Sequence, residues 1–131
     1  MKNSIDLAYE KALEVIEECS TKHGLFASGG KKGYKGVWAR DSAITLIGAS
    51  LIKNPKIKKV FRRSLITLAN AQSKLGQIPN AVYEFNRKKP KIDFESIDSS
   101  LWFIIGEYDI LLSVLCHKFS RHSLGFNRQF I

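Results

Sequence analysis

The chain has 131 residues, enough for one domain with a single core. Hydrophobic residues make up 44% and charged residues 25%, which excludes a disordered or fibrous chain, and no apolar run approaches the roughly 20 residues of a membrane-spanning helix. The net charge of +9 permits a polyanionic partner without requiring one.

The N-terminal residues Met1 to Asp6 contain no apolar h-region, which predicts the absence of a secretory signal. A first helix is predicted over residues 4–22, where Ile5, Ala8, Ala12, Val15, Ile16 and Cys19 recur at helical spacing. Asn3 or Ser4 suits its N-cap, and Gly24 suits its end. Cys19 and Cys116 sit in apolar helical stretches and read as reduced core residues of a cytoplasmic protein, although the sequence leaves a disulfide between them open. Residues 25–35 are glycine-rich but lack the Gly-Lys-Ser/Thr ending of a phosphate loop, so they read as a surface loop.

A second, well-buried helix is predicted over residues 41–52, and Asn54-Pro55 ends it because proline offers no amide donor. Pro55 also fits the first turn of a third helix, residues 55–74. The basic residues gather between Lys53 and Arg63. Ile57, Val60, Phe61 and Leu65 keep an apolar stripe through that run, so it reads first as the solvated face of a helix. A long connection follows, residues 75–97, in which Val82-Tyr83-Glu84-Phe85 alternates weakly, as a short strand would. A fourth helix is predicted over residues 99–117 and an irregular tail over 116–131. The elements together predict an all-α fold of about four helices in antiparallel hairpins with long loops. Helices two and four would then begin on the same face.

Two motifs mark those two helix starts, Val37-Trp38-Ala39-Arg40-Asp41-Ser42 and Asp98-Ser99-Ser100-Leu101-Trp102-Phe103. Asp at a helix start is ordinarily an N-cap. Here each Asp lies near a Trp and follows a long loop. That pairing suits a sugar, whose hydroxyls a carboxylate accepts and whose C–H face an aromatic ring covers. Trp38, ahead of its helix, is the better platform, whereas Trp102 lies in an apolar helix and has core as its commoner fate. Arg40 suits sugar hydroxyls or a carboxylate. A proton-donating Asp98 requires burial or a negative neighbour, such as Asp93 or Glu95. His23, His117 and His122 show no metal-ligand spacing, so neither a metal nor another cofactor is expected.

These motifs, together with Gly76-Gln77-Ile78-Pro79-Asn80, resemble the six-hairpin glycosidases, above all the glycogen-debranching enzyme glucosidase domain (amylo-alpha-1,6-glucosidase) and glucoamylase-like proteins. The likeness spans about residues 24–110 and implies an (α/α)6 toroid, of which residues 1–115 would form the N-terminal portion. It also implies that Arg40 and Asp41 hold the terminal sugar, that Pro79 and Asn80 shape the cleft rim, and that Asp98 is the general acid of an inverting reaction. The two carboxyls of such a reaction stand roughly 6.5–9.5 Å apart. The family's catalytic base, a Glu from the second half of the barrel, has no counterpart in this sequence. The expectation is therefore a glycoside hydrolase-like fragment that acts on or binds α-glucans, with candidate binding residues Trp38, Arg40, Asp41, Pro79, Asn80 and Trp102, and with little turnover alone. Its expected partners are an α-glucan and either a missing C-terminal half or a second copy, with no membrane; the reading frame is expected to be truncated or shifted near Leu115. The alternative is a small basic helical module that binds nucleic acid through residues 53–63, with a steep salt dependence.

Overall fold

A computed structural model describes residues 3–29 and 33–126. Helix α1 (Ser4–Cys19) is capped by Asn3, whose Oδ1 accepts the amides of Ile5 and Asp6. It ends three residues short of the expected Lys22, because Ser20–Thr21 (β1) pairs antiparallel with Gly24–Leu25 (β2). Gly24 holds this hairpin tightly, at a φ of 130° that L side chains rarely adopt. Strand β3 (Gly36–Trp38) leads directly into α2 (Ala39–Ala49). Helix α3 (Pro55–Asn70) starts on Asn54, whose side chain accepts the Lys56 amide, and on Pro55 in its first turn. The long connection folds into strands β4 (Ala81–Tyr83) and β5 (Lys91–Asp93), and α4 (Ser99–Phe126) follows.

The all-α expectation is therefore wrong. Among the described residues, four helices are joined by two small antiparallel sheets, β1-β2 and β3-β4-β5, in a mixed α and β fold. The weak alternation at Val82 to Phe85 corresponds to β4, whereas the other strands, two or three residues long, are too short for period-two alternation to register in sequence. They form because loop backbone packed against a core must still pair its amides and carbonyls. Helix α4 runs past the expected boundary at His117 to Phe126. The readings of the Cys116, His117 and His122 side chains, and of residues 127–131, lie outside the described residues.

The core has two parts. In one, Phe61, Leu65 and Ile57 of α3 meet Leu46 and Ala49 of α2, with Cys19 and Leu25 beside them. In the other, Val37 and Val82 of the sheet pack with Leu68 and Ile78. Phe103 of α4 touches both and joins them. Full burial of a side chain such as Phe61 or Leu68 stabilises by about 1.5–3 kcal/mol. The basic run proves to be an amphipathic surface: Ile57, Val60 and Phe61 are buried, whereas Lys56, Lys59 and Arg62 are exposed. Helices α2 and α4 pack closely together but leave Ile44, Ile47, Leu101 and Ile104 open to solvent. No helix among the described residues is long and apolar enough to cross a membrane.

Candidate functional site

The three-stranded sheet organises the site. Its register aligns Gly36 with Tyr83 and Lys91 at one end, and Trp38 with Ala81 and Asp93 at the other. Just beyond the second row the chain enters α2. Trp38 is the extended residue ahead of that helix, and its side chain makes no capping bond. The Ala39 amide donates to the Asn80 carbonyl at 2.9 Å, and the Asn80 amide donates to the Asp93 carbonyl at 2.7 Å. The Asn80 side chain donates to Asp93 Oδ2, also at 2.7 Å. Asn80 is thus the residue that ties the sheet to the start of α2.

The first of two clusters built on this frame is polar. Arg40, the second residue of α2, donates to Asp98 Oδ2 at 3.0 Å across 58 positions of sequence. The starts of α2 and α4 therefore lie side by side. Trp102 Nε1, one turn into α4, donates to the same oxygen at 3.1 Å, and the Ser96 hydroxyl donates to Asp98 Oδ1. Asp98 precedes the first residue of α4, yet its carboxylate is taken by these three side chains rather than by helix amides. Neither neighbouring serine substitutes for it as a cap: Ser100 Oγ accepts the Ile78 amide, and Ser99 Oγ is buried without a partner. The Ser96 and Arg40 hydrogen bonds hold the Asp98 carboxyl below its ordinary pKa of 3.8, with further help from Trp102 and from the charge of Arg40. At neutral pH it is an anion, the opposite of what a proton donor requires. Both partners of the ion pair are about half exposed, so the pair contributes little to stability.

The second cluster is aromatic. A groove of about 760 Å³ is walled by Phe26, Tyr34, Trp38, Tyr83 and Phe85, with Lys35, Glu84 and Asp93 among its polar lining. Phe85 is stacked between His23, at a centroid distance of 4.0 Å, and Phe26, at 5.7 Å. Burial and the charge of Lys22 keep His23 below its ordinary pKa of 6.5, so the ring in this stack is neutral at pH 7. Tyr34 stands edge-on to Trp38. The Trp38 Nε1 donor is buried without a partner, an arrangement that costs about 1–3 kcal/mol unless another acceptor arrives. Glu84 adopts a positive φ of 55° and pairs with Arg87 and Lys91. The Lys91 hydrogen bond leads the effects that lower its pKa.

The expected site residues are thus divided. Arg40, Asp98 and Trp102 form the polar cluster, Trp38 belongs to the groove, and Asn80 joins the two. Trp102 acts as a hydrogen-bond donor to Asp98. Pro79 is fully buried, which makes it part of the frame rather than a rim contact. Asp41 lies exposed in the first turn of α2, where its charge favours the helix dipole. Phe26, Tyr34, Tyr83, Phe85 and Asp93 were not singled out as binding residues by sequence. Their only signal was the aromatic alternation at Tyr83 and Phe85. Among the described residues, no group of three or more His, Cys, Asp or Glu side chains is placed to hold a metal ion. Comparison with models of known families, with curated proteins and with solved structures returns no match for this chain.

Proposed function

We propose that this chain is a glycoside hydrolase-like unit that binds α-glucan oligosaccharides in the aromatic groove without cleaving them. The observation that carries this reading is the groove itself, about 760 Å³ walled by five aromatic rings and bordered by the Asp93 carboxylate. That volume lies within the range of small-molecule sites. Rings cover the C–H faces of sugars, and carboxylate and amide groups such as Asp93 and Asn80 suit their hydroxyls. The likeness of the motifs around Trp38, Asn80 and Asp98 to the debranching glucosidases supports the choice of α-glucan. Binding rather than turnover follows from Asp98, whose three donors favour its ionised form. Cys19, buried and unpaired, supports a reducing cytoplasmic location.

Titration calorimetry of the full chain with maltoheptaose tests the proposal. Saturation is expected at ligand concentrations of about 1 mM or below, and Trp38→Ala should weaken binding about tenfold through lost aromatic contact and area. No saturation, or a Trp38→Ala variant that binds like the parent, would refute the groove as the sugar site. Glucose release that disappears in Asp98→Asn would refute the claim that the sugar is held uncleaved.

A further inference from the structure

Neutral sugar does not account for the charge at one end of the groove. Lys35 lies in the groove lining next to Gly36, and Gly36 is in register with Tyr83 and Lys91. The Lys91 ammonium stands 5.9 Å from the centre of the Tyr83 ring, in cation–π range. Arg87 and Lys91 together neutralise Glu84, the carboxylate at this end. Lys88 and Lys89, on the connection between β4 and β5, are exposed. The other end of the sheet carries Trp38 and Asp93, with the Asp93 carboxylate held by Asn80 and by the Glu95 amide. The two rows lie two residues apart along each strand, about 7 Å. Lys35 is the cation in the groove lining itself, beside the ion-paired Glu84, and Arg87, Lys88, Lys89 and Lys91 flank that end from outside, whereas the Trp38 end carries the Asp93 carboxylate.

We infer that the groove takes an α-glucan bearing an anionic ester, a phosphate or sulfate, with the ester at the Lys35–Lys91 end and an unmodified ring at the Trp38–Asp93 end. This rests on the sugar-binding reading above. The charge gradient argues against a single-stranded nucleic acid, whose backbone carries a charge at every residue and is met by cations along the whole groove. Here the second row would set a phosphate against Asp93.

The test is titration of the full chain with maltoheptaose, maltoheptaose carrying a phosphate ester, its sulfate counterpart, and oligouridylate, at 50 and 300 mM salt. The esterified sugars should bind about fivefold more tightly than the neutral one at the lower salt, with the advantage shrinking at the higher. In Lys35→Gln/Lys88→Gln/Lys89→Gln the ratio of the two affinities should fall to about one. A phosphate preference without a sulfate preference, or the reverse, identifies which ester is recognised and supports the inference. Equal binding of neutral and esterified sugars would overturn it and leave the sugar-binding reading intact. Binding of neither sugar would overturn both, and oligouridylate binding tighter than every sugar would identify a nucleic-acid groove instead.

Discussion

Gly24→Ala tests the packing that holds the β1-β2 hairpin against α3. A Cβ at this position would lie 2.5 Å from Ser64 Oγ, 2.6 Å from Ser64 Cα and 2.7 Å from Ser64 N. Two of these atoms are helix backbone, so the overlap cannot be relieved by a side-chain rotation. Overpacking of this kind costs about 1–3 kcal/mol, and a non-glycine residue at φ 130° adds about 1–3 kcal/mol of backbone strain. The hydrogen bond from the Leu25 amide to Ser64 Oγ, 2.8 Å long and buried, would be displaced as well. The expected loss is about 2–6 kcal/mol, a large share of the 5–15 kcal/mol that stabilises a typical domain. Urea unfolding followed by tryptophan fluorescence should show a lower midpoint with an unchanged slope. Adding Ser64→Gly removes the hydroxyl but leaves the contacts with Cα and N, so it should recover only a minor part of the loss. A Gly24→Ala protein within about 0.5 kcal/mol of the parent would refute the packing argument, and full rescue by Ser64→Gly would refute its backbone component.

Two further outcomes follow from individual side chains. The folded-state pKa of Asp98 is depressed, so its contribution is present above the unfolded value near 3.8 and is lost as pH falls below it; a carboxyl NMR titration should place its midpoint below the ordinary value, and Arg40→Ala should move it upward. An Asp98 that titrates above its ordinary value would overturn the anionic assignment. Asn54→Ala removes the acceptor of the Lys56 amide and should destabilise the protein by about 1 kcal/mol in thermal unfolding, with Asn54→Asp close to neutral.

The helices were legible because their signals are local. Asn3 and the Asn54-Pro55 break act within a turn or two of chain, and each does in the structure what its chemistry favours, whereas Gly24, expected to end α1, lies in β2 beyond the Ser20 cap. The meeting of the starts of α2 and α4 was also legible, since long loops before both predict a shared face, and Arg40 reaches Asp98. The sheet was not. Weak alternation at Val82 to Phe85 marks β4, but the strands are three residues long and β3 finds its partner more than forty positions away, so no local signal announces the pairing. The aromatic wall was hidden for the same reason: Phe26, Trp38 and Phe85 are scattered singly through the chain, and only the pairing gathers them. Asp98 shows a different limit. Its position as the last residue before a helix suggested a cap, while its actual partners are an arginine from another helix, a serine in the preceding loop and an indole one turn on.

The pairing of β3 with β4 also limits how portable the groove is. Its walls come from residues as far apart as Phe26 and Asp93, and Trp38 and Asp93 stand in one row only because Ala81 lies between them. A peptide copied from the Trp38 motif, or from the β4-β5 hairpin alone, would carry some of the rings and none of the concavity. The smallest piece that could be grafted onto another protein is the whole interval from α1's end to the start of α4, helices α2 and α3 included. Lys88, Lys89 and Pro90, exposed at the tip of the β4-β5 connection and outside the groove lining, can vary without disturbing that frame.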